Sequence, residues 1–105
     1  MLEVNRYRVE LSEEALEQAQ IIRAWWIENR PAAQDLFVDE LRAAIRKLGA
    51  TPRVGARYDE PDFREMRRVL MPRTRYHVYY TVDDGSRLVR IHTVWHVSRG
   101  RGPHG

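Results

Sequence analysis

Residues 6–11 alternate polar and apolar side chains, and this period of two predicts a half-buried β-strand. The next segment changes to a helical period. Ser12 is a suitable N-cap, and Glu13 and Glu14 follow in the first turn, where the helix dipole favours negative charge. The apolar positions of this period are Ala15, Ala19, Ile22 and Trp26. The pattern predicts one amphipathic helix that ends near Glu28.

Asn29, Arg30 and Pro31 interrupt this period, and a second helix is predicted after them. Proline suits the first turn of a helix because its missing N–H would have no intrahelical partner there. The second apolar face consists of Phe37, Leu41, Ala44, Ile45 and Leu48. Gly49 is placed to end this helix as a left-handed cap. With so short a link, the two helices are expected to form an antiparallel hairpin.

Three strands are predicted in the second half of the chain, at 64–71, 76–82 and 88–97. The middle strand has the clearest alternation, with Tyr76, Val78, Tyr80 and Val82 on one face, although the pattern does not say whether helices cover that face. Turn-forming residues at 83–86 separate the last two strands. Residues 50–61 are expected to form a connector, and the tail 98–105 is expected to be frayed.

The order of these elements predicts an α+β fold in a single domain, 1–105. It has an N-terminal strand, an antiparallel two-helix hairpin and a three-stranded antiparallel meander. An antiparallel sheet with the hairpin packed on one face would bury the apolar side of both layers. We expect the opposite face of the sheet to remain open and available for binding.

Composition narrows the class of protein. With no cysteine, the chain has neither disulfides nor thiolate metal sites. No apolar run approaches the roughly 18 residues that a membrane span requires, and the first ten residues do not form a signal peptide. These features predict a soluble cytoplasmic protein without a membrane partner, and nothing in the sequence indicates a cofactor.

Charge is distributed unevenly along the chain. Residues 1–50 carry a net charge of −2 and residues 51–105 carry +5, which together give the net +3. Lys47 is the single lysine among 18 basic residues, so nearly all positive charge is arginine. Arginine matches phosphate and carboxylate groups, which suits an anionic partner, although a GC-rich genome would equally explain the ratio of arginine to lysine.

Four segments together resemble the RelE/ParE toxin superfamily of type II toxin–antitoxin systems, and within it the ParE-like, plasmid-stabilisation branch. The resemblance covers residues 6–103. It rests on the segments YRVELSEEALEQ, WWIENRPAAQDLFVDEL, EMRRVLMPRTRYHVYYTVDD and VRIHTVWHVSRGRGP.

This resemblance implies a toxin that arrests growth and is neutralised by a small antitoxin encoded beside it, within a hetero-oligomeric complex. ParE-like members inhibit DNA gyrase by protein binding and are paired with ParD-like antitoxins. RelE-like members are ribosome-dependent mRNA endonucleases. The preferred interpretation is the ParE-like one, with an antitoxin that carries an acidic segment. A member that has lost toxicity and only assembles with its antitoxin on operator DNA is a third alternative.

Two sets of candidate residues follow from these alternatives. A nuclease would use arginines to stabilise the phosphate and a group titrating near neutrality for proton transfer. That set is Arg67, Arg68, Arg75, Tyr76 and His96, with His77 and Glu65 as further acid–base candidates. RelE-like members place a tyrosine after the last strand. Residues 99–103 of this sequence, which follow its last strand, contain no tyrosine, and this counts against the nuclease. For binding a target or an antitoxin, the candidates are Trp25, Arg68, Arg75, His96 and Arg99.

The remaining histidines and tryptophans have mostly structural interpretations. His92 and His96 are predicted to share one face of a strand, but residues four apart on a strand are about 13 Å apart and could not bind one metal ion together. Trp26 lies on the apolar stripe of the first helix, and Trp95 aligns with Val89 and Ile91 as a core residue. Trp25 lies beside that stripe and is therefore the better candidate for a partner contact.

Overall fold

The computed structural model describes residues 6–59, 61 and 65–99, and it confirms the predicted α+β architecture. The elements are β1 (Arg8–Leu11), α1 (Glu13–Asn29), α2 (Leu36–Ala50), β2 (Ala56–Arg57), β3 (Arg67–Met71), β4 (Tyr76–Asp83) and β5 (Leu88–His96). Short 3-10 turns follow α1 at Pro31–Ala33 and follow β5 at Val97–Arg99. No helix in the described part of the chain is long and apolar enough to cross a membrane. Residues 100–105 of the predicted frayed tail lie outside the described residues.

The start of α1 is set by its N-cap, as predicted. The hydroxyl of Ser12 accepts a hydrogen bond from the backbone N–H of Ala15 at 3.0 Å, and Glu13 and Glu14 lie in the first turn. Such a cap contributes about 1 kcal/mol to helix stability. The same hydroxyl donates to the carbonyl of His92 at 3.1 Å, so the cap also ties the helix to β5.

Two details of the helical hairpin differ from the prediction. Pro31 begins a separate 3-10 turn, and α2 starts later, at Leu36. Gly49 is not a left-handed cap, because α2 continues to Ala50 and ends where the N–H of Thr51 donates to the carbonyl of Lys47. The carbonyl of Gly49 accepts from the N–H of Tyr7 at 2.9 Å, and a Cβ on Gly49 would lie only 3.1 Å from the carbonyl oxygen of Tyr7. Glycine therefore allows the chain that enters β1 to pass close to α2.

The five strands form one sheet in the order β1-β5-β4-β3-β2. The antiparallel meander β3-β4-β5 is confirmed, but the sheet as a whole is mixed because β1 pairs in parallel with β5. The expectation of a wholly antiparallel sheet was therefore wrong. An alternating pattern shows which side of a strand is buried and carries no information on the direction of its neighbour. The two-residue strand β2, which pairs with β3, lies in the segment predicted as a connector.

A β-bulge in β5 changes which side chains share a face. Tyr79 pairs with Thr93 and Tyr80 pairs with Ile91, so His92 is an extra residue on β5. His92 contacts the hydroxyl of Thr81 at 2.8 Å, on the face opposite to His96. The prediction that these two histidines share a face was therefore wrong, and the bulge is the reason.

The same bulge moves Trp95 out of phase with Val89 and Ile91. Trp95 pairs with His77 and is only partly buried, whereas Val89 and Ile91 are fully buried. Its predicted alignment with those two residues is incorrect.

The main core lies between the two helices and one face of the sheet. Helix residues Ala15, Ala19, Phe37, Leu41 and Leu48 pack there against Met71, Val78, Tyr80, Val89, Ile91 and Val94. Tyr76, Val82 and Trp26 pack against this cluster. The strong alternation of β4 therefore belongs to the helix-covered face, which decides the question that the sequence left open.

Helix α1 also completes the hydrogen bonding of β5 beyond the end of β1. Strand β1 pairs only with residues 88–91, and the N–H of Ser12 donates to the carbonyl of Ile91 at 2.9 Å. Further along, the Oε1 of Gln18 accepts from the N–H of Val94 at 2.7 Å and from the hydroxyl of Thr93 at 2.9 Å. The side chain of Gln18 therefore accepts a backbone hydrogen bond that a neighbouring strand would otherwise accept.

The turn between β4 and β5 is joined to two distant segments through Asp84. Arg53 donates two hydrogen bonds to its carboxylate, at 3.0 and 2.9 Å, and the hydroxyl of Tyr7 donates a third at 2.6 Å. The hydrogen bonds from Arg53 and then from Tyr7 lower the pKa of Asp84 to about 2. The carboxylate is therefore charged at neutral pH and links three segments that are distant in sequence.

Candidate functional site

A groove of about 520 Å³ lies between α1 and the adjoining ends of β4 and β5. Its lining consists of Ile21, Ile22, Trp25, Trp26, Arg30, Thr74, Tyr76, His96 and Ser98. Three residues predicted from the sequence, Trp25, Tyr76 and His96, meet here. The volume lies within the range of protein pockets that enclose a ligand.

The two tryptophans of α1 differ in their surroundings. Trp26 packs against the core, as predicted, and among the described residues its buried Nε1 has no hydrogen-bond partner. Trp25 is 45% exposed and meets Trp26 edge to face, with ring centroids 5.6 Å apart. The guanidinium of Arg30 lies over the Trp25 ring at 5.4 Å, within cation–π distance. Trp25 therefore presents an accessible aromatic surface beside a cation.

Tyr76 and His96 form the floor of the groove as a cross-strand pair. Their ring centroids are 4.8 Å apart and nearly perpendicular, and Phe37 packs on the Tyr76 ring at 5.3 Å. The Nδ1 of His96 accepts a hydrogen bond from the N–H of Ser98 at 3.0 Å.

The turn that leads into Tyr76 is held by Glu40 of α2, a residue that the sequence analysis did not single out. Its carboxylate accepts from the N–H of Arg73 at 2.6 Å, the N–H of Thr74 at 2.9 Å and the hydroxyl of Thr74 at 2.6 Å. Burial acts to raise the pKa of Glu40, but the hydrogen bonds from Thr74 and Arg73 outweigh it, and the pKa is lowered. Arg75 follows with a positive φ of 69° and an exposed side chain. Glu40 thus fixes the turn that leads into Tyr76. The positive charge of Arg75 acts on His77, on the other face of the sheet.

A second cluster occupies the other face of the sheet, around Tyr79. Tyr58 packs on Tyr79 at 5.0 Å, His77 meets Tyr79 at 5.9 Å, and the guanidinium of Arg68 lies over the Tyr58 ring at 4.8 Å. Tyr79 is only 2% exposed. The expectation that this face stays open is therefore corrected in part, because Tyr58 from the connector covers its centre. No periodicity marked Tyr58, since the connector has none.

The pKa of His77 in this cluster is lowered by burial first and then by the positive charges of Arg68 and Arg75. The ring is therefore neutral at pH 7. A neutral imidazole can accept a proton, but burial and the neighbouring arginines make this one a weaker base than a free histidine.

Arg67 points to the helix-covered side and is engaged within the fold. Its guanidinium donates to the carbonyl of Gly55 at 2.7 Å and to that of Arg53 at 3.3 Å. The prediction that adjacent Arg67 and Arg68 point to opposite faces is confirmed, since they pair with Tyr80 and Tyr79 respectively. Arg67 thus stabilises the 53–55 segment.

The other predicted residues lie outside both clusters or outside the described side chains. Glu65 is exposed with a positive φ of 58°, before β3. Arg99 ends the last 3-10 turn, and its side chain lies outside the described part. Within the described residues, no group of three or more histidine, aspartate or glutamate side chains could hold a metal ion.

Comparison with known proteins now identifies the family. The model of the family described as the ParE toxin of the type II toxin–antitoxin system parDE matches residues 9–100. The chain belongs to the ParE toxin family. A search of curated protein sequences gives no match.

Solved structures share the fold of this ParE-family chain. It is similar to the toxin of a chromosomal ParDE system from P. aeruginosa, with a TM-score of 0.69 and 13% identity over 88% of this chain and 97% of the other. It is also similar to a chain of the RelBE2 toxin–antitoxin complex from Mycobacterium tuberculosis (TM-score 0.61, 21% identity, 87% and 91% covered). For the E. coli RelBE complex the TM-score is 0.58, with 17% identity and 86% and 95% covered. At these identities the likeness shows the fold alone.

In this ParE-family chain, the residues predicted for a nuclease do not meet at one site. Tyr76 and His96 lie in the groove on the helix-covered side, whereas Arg68 lies on the opposite face beside Tyr58. The groove combines aromatic and aliphatic surfaces with one arginine. That combination is suited to binding another molecule through apolar contacts and charge.

Proposed function

We propose that this ParE-family chain is a toxin that inhibits DNA gyrase by protein binding and is neutralised by a ParD-like antitoxin. The match to the ParE toxin family supports a toxin role, and the likeness to the P. aeruginosa ParDE toxin supports the fold. In this proposal the chain breaks no covalent bond itself, and it assembles with its antitoxin as a hetero-oligomer.

The observation that carries the proposal is the separation of the nuclease candidates. A phosphodiesterase needs its proton-transfer groups and its phosphate-binding cation within reach of one phosphate. Arg68 and the Tyr76–His96 pair lie on opposite faces of the sheet. Arg67 lies on β3, on the same face as Tyr76, but it pairs with Tyr80, which lies four residues from Tyr76 along β4, about 13 Å away, and it donates to the carbonyl of Gly55. The positive charge of Arg75 acts on His77, on the face opposite to Tyr76.

Charge supports the antitoxin half of the proposal. The second half of the chain carries +5, and the groove includes Arg30 and no acidic residue. A positive surface of this kind favours an acidic partner segment, both in the rate of association and in choice of partner.

The direct test is expression of the chain without its antitoxin, with DNA breaks and transcript cleavage followed in the same cells. We expect gyrase-dependent DNA breaks and intact transcripts, and inhibition of supercoiling by purified gyrase when the chain is added. Transcripts cut on ribosomes, with supercoiling unaffected, would overturn the gyrase target. Normal growth would favour the member that has lost toxicity.

A second candidate function is ribosome-dependent mRNA cleavage of the RelE type. One observation favours it: Arg68, His77 and Tyr79 lie together on one face, and His77 is neutral at pH 7. The likeness to chains of RelBE complexes adds support at the level of the fold. Loss of growth arrest in His77→Gln, with the fold intact, would favour this function.

A further inference from the structure

The solvent-facing side of α2 carries a cluster of cations that the fold does not use. Arg42, Arg46 and Lys47 are exposed between the middle of the helix and its C-terminal end. Among the described residues, none of these three side chains forms an ion pair or a hydrogen bond. By contrast, Arg53 is paired with Asp84. The three cations of α2 are therefore available to an external anion.

Acidic residues on α2 lie only near its N-terminal end. Asp39 is exposed in the first turn, and the carboxylate of Glu40 is bound by the N–H groups of Arg73 and Thr74. Residues 41–50 include no acid. The exposed side of that part of the helix thus carries positive charge alone.

The stability of the helix does not account for this cluster. A cation in the last turn interacts favourably with the helix dipole, and Lys47 occupies that turn. Arg42 lies about two turns before Ala50, where the dipole no longer acts. It is also four residues from Arg46, and like charges at that spacing destabilise a helix slightly. The arrangement is therefore better explained by a ligand than by a requirement of the fold.

Two alanines separate the cations into two rows. At about 100° per residue, Ala43 and Ala50 lie on one line along α2, with Arg42 and Arg46 on one side of the line and Lys47 on the other. Both alanines are exposed. Because each projects only a methyl group, a rod-shaped anion can approach the helix closely and meet cations on both sides.

We propose that this face of α2 binds the phosphate backbone of duplex DNA without reading its sequence. Each DNA strand carries one negative charge for about every 3.4 Å of the duplex axis. Arg42 and Arg46 are separated by about 6 Å along the helix, which is comparable with two such steps. Arginine and lysine both donate charge-assisted hydrogen bonds to phosphate oxygens.

The composition of this face favours a duplex over a single strand. Proteins that bind single strands add aromatic side chains on which the bases stack. The one aromatic residue of α2, Phe37, is buried in the core. The choice of DNA rests on the proposed function, because gyrase holds duplex DNA. The contact adds affinity for the gyrase–DNA complex beyond the affinity for gyrase alone.

The experiment measures binding of the purified full chain to a fluorescently labelled DNA duplex of arbitrary sequence, by fluorescence anisotropy at several salt concentrations. Arg42→Ala, Arg46→Ala and Lys47→Ala each remove one cation, and alanine is a strong helix former, so α2 should remain folded in each. Arg23→Ala is the matched control, because Arg23 is an exposed cation on α1 that forms no ion pair within the described part of the chain. Circular dichroism verifies the fold of each variant.

We expect the affinity of the wild type and of Arg23→Ala to fall about 40-fold between about 50 and 200 mM salt, as three phosphate contacts require. The affinity of each α2 variant should fall only about 12-fold, because one contact is lost. Equal salt dependence in all four variants, or no binding by the wild type at the lowest salt concentration, would overturn the proposal. Tighter binding of an RNA duplex of the same sequence would assign this face to RNA and would also overturn it.

Inhibition of supercoiling, measured with the same proteins, distinguishes failure of this contact from failure of the proposed function. If the wild type inhibits gyrase but the α2 variants bind DNA as the wild type does, the α2 contact is wrong and the gyrase target survives. If the wild type binds DNA through α2 but does not inhibit gyrase, the DNA contact stands and the proposed target is wrong.

Discussion

Glu40 and Thr74 are joined by two hydrogen bonds, from the backbone N–H of Thr74 at 2.9 Å and from its hydroxyl at 2.6 Å, both to Oε1 of the carboxylate. Thr74 is 4% exposed and lines the groove. This contact joins α2 to the β3–β4 turn, so one carboxylate sets the position of one end of the groove.

Glu40→Ala should lower the free energy of unfolding by about 1–2 kcal/mol, because Thr74 loses its charged acceptor. The pKa of Glu40 is lowered in the fold, so its contribution is complete above pH 4.5 and fades as the pH falls through the lower folded value. Urea unfolding at pH 7 and pH 3, followed by tryptophan fluorescence, measures both effects. Asp39→Asn, at an exposed neighbour, is the control. A difference between Glu40→Ala and the wild type that is as large at pH 3 as at pH 7 would contradict the assignment.

Tyr80→Phe should be destabilising by about 1–3 kcal/mol, although it removes a single oxygen. The hydroxyl of Tyr80 accepts from the N–H of Gly55 at 2.9 Å in a fully buried position, and phenylalanine would leave that N–H without an acceptor. Tyr79→Phe is the matched control, because Tyr79 is equally buried and its hydroxyl makes only a 3.5 Å contact with Arg68. Chemical denaturation compares the two, and an equal loss in both variants would refute the distinction.

Gly55→Ala should lower the stability by a further mechanism, overpacking. A Cβ at Gly55 would lie 2.5 Å from the carbonyl oxygen of Arg68 and 2.7 Å from the hydroxyl of Tyr80, so the backbone would have to shift. The expected cost is about 1–3 kcal/mol, or a decrease in Tm of at least about 4 °C for a domain of this size. Gly85→Ala is the control, because a Cβ there would make only an ordinary contact with Asp83 at 3.4 Å. Thermal unfolding curves that coincide for the two variants would show that the 55 position can relax.

Asp84→Asn should make the chain less sensitive to acid. The folded pKa of Asp84 is about 2 against an ordinary value of 3.8, so its stabilising effect is complete above pH 3.8 and is lost as the pH falls through about 2. The wild type should therefore lose more stability than the variant between pH 4 and pH 2. Urea midpoints at both pH values measure this, with Asp35→Asn as a control at an exposed carboxylate. Parallel losses in Asp84→Asn and the wild type would show that the Arg53 contact is not significant in solution.

His77→Gln should leave growth arrest within about twofold of the wild type if the toxin acts by binding. Removal of a general base typically costs about 100-fold or more. His77 is an imidazole on this face, and burial and the charges of Arg68 and Arg75 lower its pKa. Growth after induction of each variant, with protein levels compared by immunoblot, is the measurement. A hundredfold loss of toxicity with normal expression would support mRNA cleavage instead.

The elements whose residues contact one another locally could be predicted from the sequence. The apolar stripe of α1 and the alternation of β4 each reflect a repeat within one element. The Ser12 cap depends only on the first turn of its own helix. The parallel pairing of β1 could not be predicted in this way, because its neighbour Leu88–His96 lies some eighty residues away. The β-bulge at His92 could not be predicted either, because one extra residue shifts the alternation of β5 while the residue types of the strand remain typical of a strand.

The candidate site was only partly predictable for a related reason. Trp25 stood out because it lies beside an apolar stripe that other residues fill. Glu40 did not, since its role depends on Arg73 and Thr74, which reach it only in the folded chain. Arg67 and Arg68 are adjacent and chemically identical, yet one binds backbone carbonyls and the other stacks on Tyr58. The sequence pattern predicts that the two arginines point to opposite faces of the sheet, but it does not identify the groups that they contact.

The side chain of Gln18 has a consequence for how other proteins can attach. An exposed edge strand can pair with a strand of another protein, which then extends the sheet. Along the outer half of β5, the main-chain donor of Val94 is already satisfied by the Gln18 amide. A strand of another protein could pair with that donor only by displacing the side chain of Gln18.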